Sequence, residues 1–129
     1  MSVEFIGMIQ QQKVSETHLA RGPAIDIDYT RNFAQAHEKA GFDRILVPYQ
    51  STSPDAMLTV AYAAGVTQRV HFMLAHRPGF VAPTLAARQL ATLDDQHGEL
   101  LARIDRQGSW YTEDLEQASR ELQADTPDD

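Results

Sequence analysis

Three times within the first 94 residues a short apolar run stops at a polar or Gly/Pro-rich loop and gives way to a segment with helical periodicity. This alternation constrains the chain more than any other feature, because strands separated by helices pair in parallel through crossover connections. Val3 to Ile9 reads as a first strand, apolar enough to be expected buried on both faces. Gln10 to Asp28 is a polar connection containing Gly22 and Pro23, longer than the usual βα loop of roughly two to six residues, and loops of that length are often functional. Tyr29, Phe33, Ala36 and Ala40 recur at helical spacing, with Gly41 as a C-terminal stop. Arg44 to Val47 is a second strand. Ser53-Pro54-Asp55 then opens a helix, with Ser53 expected as N-cap, Pro54 at the first helical position and Asp55 favouring the positive helix end. That helix runs to about Gly65. Val70 to Leu74 makes a third strand, and Pro83 to Asp94 a third helix. The expected topology is three parallel strands in the order one-two-three with the helices on one face.

Composition narrows the function classes. The chain is 129 residues long, 43% hydrophobic and 22% charged, which suits one domain with a core. A formal charge of −7 offers no basic surface to neutralise phosphates, so neither nucleic acid nor an anionic membrane is expected as partner. There is no cysteine, which excludes disulfides, thiolate metal sites and cysteine nucleophiles. The start of the chain lacks a basic segment followed by an apolar one, and no window approaches the about 18 apolar residues of a membrane span. These features predict a soluble, cytoplasmic protein. After Asp94 the character changes. Residues 95–129 hold one amphipathic stretch, Glu113 to Ala124, with Leu115, Ala118 and Leu122 on one face, and end in an acidic segment. Two domains are therefore expected: residues 1–94 carrying the three βα units, and residues 95–129 as a divergent helical tail.

Two segments carry a resemblance. Leu46-Val47-Pro48 through Asp55-Ala56, and Ala75-His76-Arg77-Pro78 through Ala86-Ala87-Arg88-Gln89-Leu90-Ala91-Thr92-Leu93-Asp94, resemble the bacterial luciferase-like flavin monooxygenases, in particular the alkanesulfonate monooxygenase branch. The resemblance implies an α/β fold that is the parallel βαβαβα portion of a TIM-type (β/α)8 barrel. It implies reduced FMN as cofactor, oxygen as co-substrate, a small organic substrate such as an alkanesulfonate, and a separate flavin reductase as partner. The departures have consequences. Where the family continues with a Gly-Gly-Arg turn and a fourth strand, this sequence has Asp95-Gln96-His97-Gly98-Glu99-Leu100. Ser53 stands where the alkanesulfonate branch carries a cysteine. A barrel of about 250 residues is not closed by 129, so a truncated form with weak flavin binding and homo-oligomers formed through open sheet edges are expected.

Ligands in such folds gather at the carboxyl ends of the strands. His76 and Arg77 directly follow the third strand, where Arg77 can fork a sulfonate or phosphate and His76 can donate to an anionic flavin. The alternative is that Arg77 pairs with a carboxylate and His76 caps a strand end. Tyr49 and Ser53 follow the second strand, where hydroxyls and backbone N–H groups at a helix N-terminus can hold an anion, against simple capping by Ser53. Cofactor binding is thus assigned to Tyr49, Ser53, His76 and Arg77. His18, in the long first loop, is the candidate for substrate, against a solvated loop histidine. His37 is expected on an exposed helix face, His71 as a structural histidine inside a strand, and His97 in a turn. No His-x-x-x-His pair occurs, so no metal is expected. Two other classes stay open: a non-enzymatic subunit or remnant that oligomerises, and a small α/β module that binds an anionic metabolite.

Overall fold

The computed structural model of the chain describes residues 3–19, 21–77 and 79–97. The expected tail helix with Leu115, Ala118 and Leu122 lies outside the described residues. Six elements alternate along the chain: β1 (Ile6–Met8), α1 (Ile27–Lys39), β2 (Arg44–Val47), α2 (Ala56–Gly65), β3 (His71–Leu74) and α3 (Pro83–His97). The strands form one unclosed parallel sheet in the order β1-β2-β3. Ile6 lies opposite Arg44, Arg44 opposite His71, and Val47 opposite Leu74. The chain divides between His76 and Arg77 into two compact units. The first carries the sheet with α1 and α2, and the second begins with the connection that leads into α3.

Local chemistry explains where each helix starts and stops. Asp26 caps α1 by accepting the Tyr29 N–H at 2.9 Å, and the Thr30 hydroxyl donates to the Asp26 carbonyl at 2.7 Å. The helix therefore begins before Tyr29. It ends as expected at Gly41, whose φ of +83° places the chain in the left-handed conformation that favours glycine. For α2 the expected cap is corrected. Asp55, not Ser53, accepts the Leu58 N–H at 2.9 Å, so Pro54 precedes the cap and Ser53 lies outside the helix. A carboxylate at this position satisfies the orphan N–H and complements the helix dipole together, which a serine hydroxyl two residues earlier cannot do. Pro83 opens α3 at the position where a missing N–H costs nothing, and the helix runs past Asp94 to His97, which is thus helical rather than part of a turn. Among the residues whose burial is described, Ala86, Ala87, Leu90, Ala91 and Leu93 are its buried ones.

The sheet has two unlike faces. Gly7, Ile45 and Phe72 are in register, and Ile45 and Phe72 are fully buried, as is Val47. The other face carries the row Met8, Leu46 and Met73, none of it fully buried. The expectation that β1 is buried on both faces is overturned: Ile6 and Met8 are each 48% exposed and Phe5 is 61% exposed. Ile6 and Met8 lie on the face they share with Leu46 and Met73, which is not fully buried on any of the three strands. Just past the strand, Ile9 is buried and its N–H continues the ladder to the Leu46 carbonyl at 3.0 Å.

α1 lies against β1 through a close contact between Gly7 and His37, where a Cβ on residue 7 would overlap the imidazole ring. His37 is half-buried, contrary to its expected exposed position. Its Nδ1 donates to the Phe33 carbonyl at 2.8 Å, and its ring meets Phe33 and Phe42 edge-on at 4.6 and 4.8 Å between centroids. The two helices of this unit are tied by Gln35, donating to the Val66 carbonyl at 3.0 Å, and by the Tyr62 hydroxyl, donating to the Ile27 carbonyl at 3.2 Å. Because the imidazole is held by both a hydrogen bond and two aromatic edges, it has little room to yield. Gly7→Ala is expected to lower stability by about 1–3 kcal/mol. The same substitution in a His37→Ala background should cost less, and a urea-unfolding double-mutant cycle measures the difference.

Candidate functional site

The carboxyl ends of β1 and β2 open onto a cleft of about 450 Å³. Its floor is apolar, from Met8, Ile9, Val14 and Pro48, and its polar lining consists of amides and hydroxyls from Gln10, Gln11, Gln12, Gln50, Thr52 and Ser53. The cleft exists because the long first loop is pinned beside the sheet. The Gln11 carbonyl accepts the Asp26 N–H at 2.7 Å and the Thr30 hydroxyl at 3.2 Å, so the start of α1 holds the residue that leaves β1. On the other side the Ser53 N–H closes a turn onto the Gln50 carbonyl at 3.1 Å.

Of the residues singled out in the sequence, Ser53 lines this cleft and Tyr49 is half-buried between two of its lining residues, Pro48 and Gln50. His18 is not part of the lining. It is exposed within a small turn, paired with Ser15 through backbone bonds of 2.9 and 3.1 Å, with Nδ1 3.2 Å from the Thr17 hydroxyl. His76 leaves the same end of the sheet two residues after β3, following the ladder bond from the Ala75 N–H to the Val47 carbonyl at 3.1 Å. Burial pushes the His76 imidazole below the ordinary histidine value, while the Asp55 carboxylate pulls it back up. Arg77 begins the second unit, where its guanidinium lies 6.0 Å from the centre of the Phe80 ring. Asp55 also occupies the N-terminus of α2 that an incoming anion would otherwise use.

The four glutamines were not singled out in the sequence. The available signal was the run Gln10-Gln11-Gln12 placed directly after a strand, at the end where ligands gather. A second cleft, of about 300 Å³, lies at the opposite ends of the strands beside Glu38, Asp43 and His71. His71 is exposed there, and its N–H donates to the Asp43 carbonyl at 3.1 Å. The Glu38 carboxylate in this cleft accepts the backbone N–H groups of Gln68, Arg69 and Val70, so it serves the fold. Among the described residues no group of three or more His, Asp or Glu side chains could hold a metal ion, and no helix is long and apolar enough to cross a membrane.

Residues 3–98 match the family model described as luciferase-like monooxygenase. The matched span contains both sides of the carboxyl-end cleft, Tyr49, Ser53, His76 and Arg77.

The environment of His76 has a consequence for pH dependence. Its folded-state value lies below the unfolded one, so the unfolded chain binds the proton first and stability falls as pH drops below about 6.5. His76→Gln is expected to flatten this part of the stability profile, measured by urea unfolding between neutral and mildly acidic pH. Asp55→Asn keeps the helix cap but removes the opposing charge, and should move the His76 titration, followed by NMR, to still lower pH.

Proposed function

The chain belongs to the luciferase-like monooxygenase family, and on that premise we propose that it oxygenates a small alkanesulfonate-like substrate with reduced FMN and molecular oxygen. The family generally uses reduced flavin. The observation that carries the reading is the carboxyl-end cleft, within the matched span and lined by neutral hydrogen-bonding groups over an apolar floor. That chemistry fits a flat, largely apolar ring with a carbonyl-bearing edge, and the buried Gln11 amide nitrogen without a hydrogen-bond partner is the most specific sign of such a fit.

In this reading Tyr49, Ser53, His76 and Arg77 hold the cofactor and His18 contributes to the substrate side. When bound, reduced flavin supplies two electrons for the activation of oxygen, one atom of which enters the substrate while the other leaves as water. The chain's own residues bind and orient. Ser53 offers a hydroxyl to a polar edge, and the apolar floor excludes water from one side of the ligand. His76, neutral at physiological pH, can donate or accept one hydrogen bond without adding charge. Arg77 presents the fork that matches the phosphate of FMN. A flavin reductase supplies the reduced cofactor, and the protein works in the cytoplasm.

The test is an assay with reductase, saturating FMN and a short alkanesulfonate, read as sulfite released. Turnover that depends on reduced flavin and oxygen is expected. Arg77→Lys keeps the charge but loses the planar fork, and should raise the FMN concentration needed for half-maximal turnover about tenfold. An unchanged FMN requirement in that variant would remove Arg77 from the cofactor's phosphate.

One observation favours self-association beside this activity. Ile6 and Met8 on the edge strand, and Phe5 just before it, are exposed, and covering apolar surface is favourable by roughly 25 cal/mol per Å². We propose a homo-oligomer that pairs through β1. Light scattering should show dimers or larger species, and Met8→Lys should shift them towards monomer. A monomer at all concentrations would remove this proposal and leave the enzymatic one standing.

A further inference from the structure

The carboxyl-end cleft contains a polar group that the fold leaves unused. Gln11 is only 8% exposed, and its backbone carbonyl is fixed by the Asp26 N–H and the Thr30 hydroxyl at the start of α1. Its side-chain amide nitrogen is buried and has no hydrogen-bond partner. A buried N–H with no acceptor destabilises a folded chain, and most buried polar atoms are satisfied. The same residue lines the cleft.

The lining residues determine what kind of acceptor suits this donor. None of them carries a formal charge; the polar ones are Gln10, Gln11, Gln12, Gln50, Thr52 and Ser53. An anion entering here would exchange its hydration for neutral dipoles alone, which is unfavourable. A neutral carbonyl-type oxygen gives up far less hydration, and one well-placed N–H replaces it. We propose that Gln11 donates its side-chain N–H to an uncharged acceptor oxygen of the small molecule bound in this cleft, and so makes the cleft selective for neutral over anionic groups. The inference rests on reading the cleft as the ligand site of a luciferase-like monooxygenase. Two sources present such an oxygen: the carbonyl edge of a flavin ring, and an uncharged polar group on an organic substrate.

The experiment uses the full chain labelled with 15N. The Gln11 side-chain amide pair is assigned by its disappearance in Gln11→Met, and the wild type is titrated separately with riboflavin, ethanesulfonamide and ethanesulfonate. The pair is expected to shift saturably with riboflavin if the flavin is the source, or with ethanesulfonamide if the substrate is. Ethanesulfonate should need at least tenfold higher concentration for the same shift. Gln11→Met should bind the effective neutral probe about tenfold more weakly, yet unfold at an equal or higher temperature without ligand, because it fills a similar volume without the orphan donor. A purely structural amide would give the opposite, lower thermal stability with unchanged binding, and that result overturns the proposal. So does a pair that no probe moves, or one that ethanesulfonate moves as readily as the neutral probes. Gln11→Met that does not fold also counts against it. Gln11→Glu replaces the donor with an acceptor and should abolish binding of the neutral probe; retained binding overturns the proposal. A Gln11 shift without sulfite release in the turnover assay overturns the activity reading alone, and sulfite release without any Gln11 shift overturns this one alone.

Discussion

The Glu38 carboxylate is the point on which the first unit turns. It sits in the last part of α1 and accepts the backbone N–H groups of Gln68, Arg69 and Val70 at 2.8, 2.5 and 2.9 Å. These are the residues that lead into β3, and without this carboxylate three successive donors would have to be satisfied elsewhere. The contact fixes the entry of β3 beside β2, with His71 opposite Arg44. Each residue of a strand advances the chain by about 3.3 Å and turns its side chain to the other face, so a slip at this end would be carried to the other. The position of Ala75 and His76 at the carboxyl end is therefore set by charge-assisted hydrogen bonds at the far end of the sheet. In folds of this kind the amino ends carry stability and the carboxyl ends carry chemistry, and Glu38 is the physical link between them.

The second constraint is the difference between the two sheet faces. Gly7 lets α1 approach β1, and the residues in register with it are the buried Ile45 and Phe72. The opposite row, Met8, Leu46 and Met73, is apolar but not fully buried. An apolar strand whose two faces have such different fates is hard to read from composition. In β1 the run from Val3 to Ile9 carries apolar residues at both parities, which predicts two buried faces, whereas an edge strand needs only one.

Much of the fold was legible in the sequence because alternation of strand and helix leaves few topologies, and Gly41 and the α2 start carry their own punctuation. The finer features depend on competition between neighbours. Ser53 and Asp55 were both able to cap α2, and only the geometry shows that the carboxylate reaches the Leu58 N–H. His37 looked exposed from its charged neighbours Glu38 and Lys39, but Phe33 four residues earlier and Phe42 beyond the helix draw its ring inward. Of the candidate site, the strand ends and Ser53 were recoverable from position along the chain. Gln11 was not, since nothing in a run of glutamines reveals which carbonyl Asp26 and Thr30 will hold and which amide will be left without an acceptor.

These features together set the charge at the carboxyl ends of the first unit. A bare N-terminus of α2 would attract an anion, but Asp55 already places a carboxylate there. The cleft beside it is lined by residues without formal charge. His76 is kept towards its neutral form by burial, with Asp55 as the weaker opposing influence. Three separate elements thus withhold positive charge from the carboxyl ends of the first unit. Arg77 is the first residue of the second unit and the cation nearest in sequence to this end of β3. The first unit by itself thus discriminates by charge, because an anion entering the cleft would exchange its hydration for neutral dipoles alone, and exclusion of this kind is one of the means by which specificity between similar ligands is reached.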